Sequence, residues 1–187
     1  MPERYHFNQQ DWQEFHQRAR TGPCFICEIV AKNPDYPHYC VYQDDTAIAF
    51  LDAYPTLFGR TLVAPIRHRE QVTGDFTIQE YLELQRRVYL VAEAIRQELG
   101  AERIYMMTFG SQQGNSHVHW HIAPLPPGVP YEKQQLHAVS SRDGILKLSE
   151  TEWVELAERF CHRIAQLGFH PLQNPSHCAG NSSPAQF

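Results

Sequence analysis

The sequence lacks a long apolar run and an excess of basic charge. No apolar run approaches the roughly 18 residues that a membrane-spanning helix requires, and the first residues lack the apolar stretch of a secretory signal. The 16 lysines and arginines are outnumbered by 21 aspartates and glutamates, which gives a net charge of −5. This balance argues against a basic nucleic-acid groove, although it leaves room for a small local anion site. We expect a cytoplasmic protein whose partners are neither nucleic acid nor membrane.

The length and composition are those of a globular chain. The 187 residues suffice for one domain with a sizeable core. Hydrophobic residues make up 42% and charged residues 20%, which argues against wholesale disorder. We expect an N-terminal helical segment over residues 1–21, the main domain over 22–130, and an extension over 131–187. The extension carries one amphipathic helix and, from residue 170, a mobile tail rich in Pro, Ser and Asn.

Short strands mixed with two substantial helices predict an α+β fold with a largely antiparallel sheet. The best helix is Ile78–Leu99, which Thr77 and Glu80 begin with a capping box. Ser149 and Glu152 form the same box for the helix of the extension, and Asn8 caps a short first helix. The strand-like runs are 39–42, 46–51, 61–66, 103–109 and 117–123, of which the first two read as a hairpin.

The sequence has five cysteines, an odd number, so a fully paired disulfide framework would leave one thiol over. Cys24 and Cys27 form a C-x-x-C pair, whereas Cys40, Cys161 and Cys178 are scattered. In a reducing compartment such a pair indicates metal binding or redox chemistry. A thioredoxin-like redox pair would follow a strand, and the residues just before this pair do not form one.

Three histidines follow one another at every second position, at His117, His119 and His121. On a strand they share one face, about 6.6 Å apart, while the apolar residues between them face the core. Neutral imidazoles can bind zinc in a three-histidine catalytic site. Alternatively, one imidazole can attack phosphorus while its neighbours supply protons and positive potential.

Residues 24–126 resemble the histidine triad superfamily of nucleotide hydrolases and transferases. The triad pattern is matched by His117-Val118-His119-Trp120-His121-Ile122. Four fragments before the triad match the family in order and spacing: CFICEIV at 24–30, AFLD at 49–52, GRTLV at 59–63 and PIRH at 65–68. The resemblance implies the histidine triad fold, with one long and several short helices on the sheet. It also implies a homodimer.

The resemblance further implies a mechanism. The middle histidine, His119, would attack the α-phosphorus of a nucleotide and form a covalent nucleotidyl-histidine, which water then hydrolyses. His121 would lie at the phosphate oxygens, and Asp52 would accept hydrogen bonds from the ribose hydroxyls. Phe50 and Leu51 would line the base pocket. The implied substrate is a dinucleoside polyphosphate or a nucleoside phosphoramidate.

Two features depart from the family pattern. Relatives commonly have His after the loop glycine, where this chain has Arg60, which cannot act as a neutral relay but can bind phosphate. The loop before the triad is also short, since Gly114, Asn115 and Ser116 lead directly into His117. Asn115 and Ser116 can still donate hydrogen bonds to phosphate oxygens. Because of these departures, substrate specificity does not follow from the resemblance.

The resemblance also gives the cysteine pair an interpretation. Several bacterial relatives bind a structural zinc ion through this pair, the histidine after the third strand and the first triad histidine. In this chain those residues are Cys24, Cys27, His68 and His117. A closed Cys2His2 tetrahedral site would tether the N-terminal segment to the sheet and leave His119 free.

Three classes of function therefore compete. The leading one is a nucleotide hydrolase or nucleotidyl transferase that uses a covalent histidine intermediate. The second is a metal-dependent hydrolase with the three triad histidines as zinc ligands. The third is a nucleotide-binding protein with little catalysis. Arg60, in place of the family's usual histidine, and the short loop before the triad make this class credible.

Overall fold

The computed structural model of the chain describes residues 3–109 and 115–168, apart from the side chain of His137. Gly114, Cys178 and the tail from residue 170, for which we predict mobility, lie outside the described residues. The helices are α1 (Gln9–Thr21), α2 (Phe25–Val30), α3 (Ile78–Leu99), α4 (Gln134–Val139) and α5 (Glu150–Gln166). The strands are β1 (Arg4–Tyr5), β2 (Cys40–Gln43), β3 (Ala47–Leu51), β4 (Thr61–Pro65), β5 (Arg103–Met107), β6 (Trp120–Leu125) and β7 (Ile145–Leu146).

The main sheet has five antiparallel strands in the order β2-β3-β4-β6-β5. Phe50, Leu62, His121 and Met107 face one another across four of these strands. Residues that are directly opposite on paired strands lie on the same face of the sheet, so these four side chains share one face. The α+β fold class and the largely antiparallel sheet are confirmed.

The last predicted strand begins three residues later than expected, at Trp120. The backbone ladder between β4 and β6 stops at the pair Val63–Trp120. Pro65, at the end of β4, has no N–H to donate, and its carbonyl oxygen lies 3.0 Å from the Nε2 atom of the His117 side chain. The predicted alternation still holds, because Val118, Trp120 and Ile122 all lie in the main core.

The main core lies between the sheet and the two long helices. Helix α3 has the predicted bounds and capping box, and Gly100 ends it in the left-handed conformation at φ +60°. Helix α5 also begins at the predicted cap, Ser149. Its buried residues join those of α3 in the same core: Trp153, Leu156, Ala157, Phe160 and Ile164. The predicted extension thus contributes a helix to the main core. The predicted boundaries at residues 21/22 and 130/131 stay a prediction.

The N-terminal segment packs through aromatic side chains rather than through a buried face. Asn8 caps α1 as predicted, but none of the helix residues is fully buried. Phe7 makes edge-to-face contacts with Trp12 and Tyr54, at ring-centroid distances of 5.0 and 5.3 Å. In the part of the chain that the structure describes, no helix has the length and apolar character needed to cross a membrane.

A substitution at Phe160 tests the structural role of α5. Its side chain is fully buried, and a Cβ atom at Gly59 would lie only 3.1 Å from its ring. We expect Phe160→Ala to lower the free energy of unfolding by about 3–5 kcal/mol, because the truncation leaves a cavity in the main core. Urea denaturation measures this loss. Tyr131→Ala is the control, since Tyr131 is 89% exposed and its truncation should change stability by less than about 0.5 kcal/mol.

Candidate active site and metal-binding cluster

His119 lies just before β6 and is 6% exposed. Its Nδ1 atom is 2.7 Å from the carbonyl oxygen of His117. A carbonyl oxygen only accepts hydrogen bonds, so Nδ1 carries the proton and Nε2 has a free electron pair. Burial lowers the pKa of His119, which favours this neutral form. The Phe25 ring packs edge-on at 5.9 Å and helps to exclude water.

His121 lies beside His119, with a distance of 4.9 Å between the ring centroids. Its Nδ1 atom is 3.1 Å from Nη2 of Arg60. The guanidinium has only N–H donors, so the His121 nitrogen accepts this hydrogen bond. Burial lowers the pKa of His121 most, and the neighbouring His119 lowers it further, so the imidazole is neutral near pH 7.

Arg60 is buried beneath these histidines, with 8% of its surface exposed. Its Nε atom forms an ion pair with Asp52 at 3.0 Å, although the N–H is not aligned for a hydrogen bond. Nη1 donates to Thr56 Oγ1 at 2.7 Å. The guanidinium is thus directed at protein groups. Its predicted role as a phosphate ligand stays a prediction.

Asp52 follows β3 and is also buried, with 8% of its surface exposed. Oδ2 faces Arg60, and Oδ1 accepts a hydrogen bond from the backbone N–H of Tyr54 at 2.9 Å. The structure therefore places Asp52 next to the triad through Arg60. Its contact with a ribose stays a prediction.

The two residues predicted to line the base pocket point in opposite directions. Phe50 lies on the same sheet face as His121, and its ring centroid is 6.3 Å from that of Phe25. Leu51, the next residue, belongs to the main core on the other face. The structure brings Phe50 towards the triad and leaves Leu51 away from it.

Asn115 and Ser116 lead into the triad, and the residues just before them, 110–114, lie outside the described ranges. Asn115 has a positive φ of 52°, and its backbone N–H donates to the Ala19 carbonyl of α1 at 3.4 Å. The Ser116 hydroxyl donates to Glu70 at 3.0 Å. Contacts of these two residues with phosphate stay a prediction.

Four sulfur and nitrogen donors come together where α2 meets the sheet. They belong to Cys24, Cys27, His68 and His117, and they all lie within 4.8 Å of one another. Cys24 Sγ is 3.4 Å from His117 Nδ1, and Cys27 Sγ is 3.3 Å from His68 Nδ1. Zinc bonds of usual length place tetrahedral ligand atoms about 3.4–3.8 Å apart. The cluster therefore fits a Cys2His2 zinc site.

The protonation of this cluster also suits a metal. Burial lowers the pKa of His117 to about 4, so its imidazole is the neutral form that binds metals. Burial raises the pKa of the Cys27 thiol to about 11, and a bound cation would reverse this by stabilising the thiolate. The far nitrogens of both histidines have acceptors: His117 Nε2 faces the Pro65 carbonyl, and His68 Nε2 faces Glu70 at 3.1 Å. Such acceptors orient metal-binding histidines.

Three residues with polar contacts at the site escaped sequence reasoning. Glu70 lies two residues after His68, a spacing at which a search for carboxylates near the predicted ligand would have found it. Thr56 and Ala138 contact Arg60, the latter through its carbonyl oxygen at 3.5 Å. No sequence signal marks them, since they reach Arg60 from a loop and from α4.

Comparisons with known proteins identify the family of the chain. A HIT domain profile matches residues 33–127, just over half of the chain. An uncharacterized HIT-like protein of Mycoplasma genitalium is 33% identical over 146 residues, which cover 73% of this chain and 99% of the relative. Protein hit of Bacillus subtilis is 36% identical over 106 residues, covering 55% of this chain and 70% of the relative.

Solved structures share the fold. A hypothetical histidine triad nucleotide-binding protein of Sulfolobus tokodaii has a TM-score of 0.63 at 26% identity and covers 77% of this chain and 93% of its own. A zinc-bound histidine triad family protein of Mycobacterium smegmatis has a TM-score of 0.60 at 23% identity, covering 78% and 95%. On the profile match and the long alignment with the Mycoplasma relative, the chain belongs to the histidine triad family, within a superfamily of nucleotide-binding hydrolases and transferases.

Proposed function

We propose that the protein is a nucleotide hydrolase or nucleotidyl transferase that cleaves at the α-phosphate through a covalent intermediate on His119. The observation that carries the proposal is the 2.7 Å hydrogen bond between His119 Nδ1 and the His117 carbonyl oxygen. This bond leaves the Nε2 electron pair of a buried, neutral imidazole available for attack. An imidazole in that state is a competent nucleophile at neutral pH.

The reaction divides into two displacements. His119 Nε2 forms a bond to the α-phosphorus, and the bond to the leaving group breaks with its electron pair on the leaving atom. Water then attacks the same phosphorus, the P–N bond breaks, and the electron pair returns to Nε2 as the water releases a proton. In a transferase, another hydroxyl compound replaces water. Two smaller barriers replace one large barrier.

Neighbouring side chains supply binding and charge. His121 presents a hydrogen-bond donor beside His119, where negative charge develops on the phosphate oxygens. Asp52 would hold the ribose hydroxyls, and the half-buried Phe25 ring, which packs on the buried Phe50 ring, offers an apolar surface for the base. Among the described residues, these groups lie on the side of the sheet that carries the triad.

The three-histidine zinc hydrolase receives less support. His117 Nδ1 faces the cysteine pair, His119 Nδ1 faces a carbonyl oxygen, and His121 Nδ1 faces an arginine. His117 Nε2 also faces the Pro65 carbonyl, so a cation at all three imidazoles would require the His117 ring to turn and His121 to move its proton from Nε2 to Nδ1, against Arg60. We propose instead that Cys24, Cys27, His68 and His117 hold one structural zinc ion. With four protein ligands, the ion has no open position and supplies cross-linking rather than chemistry.

We also propose a homodimer, as the family resemblance implies. Strand β5 lies at an edge of the described sheet, where an unpaired strand can join another chain. Met106 on β5 is exposed, and so are Ile78, Leu82 and Tyr89 on α3. Sedimentation velocity decides this point, because a monomer at micromolar concentration would exclude the dimer. Cytoplasmic location and the absence of nucleic-acid and membrane partners stay predictions.

Replacing the nucleophile tests the proposed reaction. His119→Ala should lower kcat/KM by at least about 10,000-fold, because the proposed intermediate forms on the imidazole that this variant lacks. Rapid quenching in alkaline denaturant, in which a P–N bond to imidazole survives, and peptide mapping of the wild-type protein should recover a nucleotide adduct on His119. His162→Ala is the matched control, since His162 lies on α5 and bonds to Gln166. Recovery of the adduct on His117 or His121 would contradict the assignment.

Metal content tests the cysteine and histidine cluster. The purified protein should hold one zinc per chain, and X-ray absorption should give two sulfur and two nitrogen ligands. Chelation should lower the melting temperature by several degrees, because ligands from distant segments couple metal binding to folding. Cys24→Ser should abolish stoichiometric binding, whereas Cys161→Ser should retain it. A shell of three nitrogens and one oxygen would place the metal on the triad instead.

A further inference from the structure

The contact between Arg60 and His121 fixes where the His121 proton lies. Nη2 of Arg60 is 3.1 Å from His121 Nδ1. Arginine has five N–H donors, no acceptor, and does not lose its proton in proteins. Nδ1 of His121 must therefore accept, and the single proton of the neutral ring must sit on Nε2.

Arg60 cannot readily turn away from this contact. Its other nitrogens are occupied by the Asp52 ion pair at 3.0 Å and by the Thr56 hydroxyl at 2.7 Å. Gly59, directly before it, has a φ of +81°, and Leu99 and Phe160 occupy the space of a side chain there. The guanidinium is thus buried and held by Asp52, Thr56 and His121.

This arrangement limits what His121 can do in the reaction. Protonation of Nδ1 would set two N–H donors against each other, a clash that the nearby Asp52 charge does not relieve because its carboxylate faces Arg60 and the Tyr54 N–H. If the neutral ring instead gave up its Nε2 proton, it would become an imidazolate. His121 can therefore donate a hydrogen bond to an oxygen, but it cannot act as a general acid.

The other described neighbours of His121 do not replace it as an acid. The Phe109 ring, whose centroid is 5.7 Å from that of His121, carries no acidic proton. The Nδ1 proton of His119 is bonded to the His117 carbonyl, and Nε2 of His119 carries the phosphorus during the step. Among the described side chains in contact with His121, none delivers a proton to a departing group.

We propose that Arg60 is a positioning residue that restricts the site to leaving groups that depart as oxyanions. The inference rests on the proposed function and selects between its two substrate classes. In a phosphoric anhydride, the P–O bond breaks and the electron pair remains on a phosphate oxygen, which is stable without a proton. In a phosphoramidate, the P–N bond breaks and the departing nitrogen must gain a proton. Dinucleoside polyphosphates are therefore substrates, and nucleoside phosphoramidates are poor ones.

The test compares diadenosine tetraphosphate with adenosine 5′-phosphoramidate on the full-length protein. A missing general acid costs about 100- to 10,000-fold, so the wild-type kcat/KM should favour the anhydride by at least about 100-fold. Arg60→His should narrow this ratio by about tenfold or more, because a neutral partner lets His121 take up a proton. Arg60→Lys should keep the preference, because an ammonium group also only donates.

The possible results distinguish a failure of the role of Arg60 from a failure of the proposed function. Wild-type cleavage of both substrates with similar kcat/KM would overturn the role of Arg60 and leave the proposed function intact. Turnover of neither substrate, with no adduct on His119, would overturn the proposed function itself and the inference with it. If the Arg60 variants do not fold, a series of adenylyl esters with wild-type protein decides. Rates should fall steeply as the pKa of the leaving group rises, and a flat dependence would overturn the inference.

Discussion

The site depends on His117, which connects the candidate metal-binding cluster to the proposed nucleophile. Its imidazole directs Nδ1 at the cysteine pair, and Nε2 faces the carbonyl oxygen of Pro65. Its own backbone carbonyl faces His119 Nδ1 and thereby determines which nitrogen of that ring is free. One fully buried residue thus orients both groups. A structural metal at this point would hold the backbone whose carbonyl oxygen directs the reaction, without touching the substrate.

A second constraint is a buried ion pair beside the triad. A buried arginine and a buried aspartate form an ion pair beneath the triad, and the arginine also contacts His121. An isolated buried charge is costly, so each partner requires the other. Arg60 therefore links Asp52, which is proposed to bind the ribose, to His121, which is proposed to bind the phosphate oxygens. Helix α4 adds a carbonyl contact to Arg60, and α5 packs behind Gly59, so the segment after residue 130 supports the site.

Local patterns in the sequence predicted much of this arrangement. Capping boxes at Thr77 and Ser149 gave correct starts for both long helices, because caps depend on residues only three positions apart. Period-two spacing predicted correctly that Val118 faces the core, since alternation is a property of the extended chain. The family resemblance placed the four candidate metal ligands, whose donor atoms lie together in the structure.

The remaining features depend on contacts between distant segments. The start of β6 shifted because Pro65, some fifty residues earlier, cannot donate to the ladder. The alternation that places Phe50 towards the triad also turns Leu51 away, and only the order of strands reveals which face holds the site. The partners of Arg60 come from a loop, a strand and a helix, so no spacing in the sequence indicates them.

The protein backbone and Arg60 determine the proton positions on His119 and His121. Long-range nitrogen–proton NMR spectra of the purified protein, labelled with nitrogen-15 histidine, measure these positions directly. We predict that His119 carries its proton on Nδ1 with a bare Nε2, and that His121 carries its proton on Nε2 with a bare Nδ1. A proton on Nε2 of His119 in the resting protein would contradict its role as the nucleophile, because that nitrogen would then have no free electron pair.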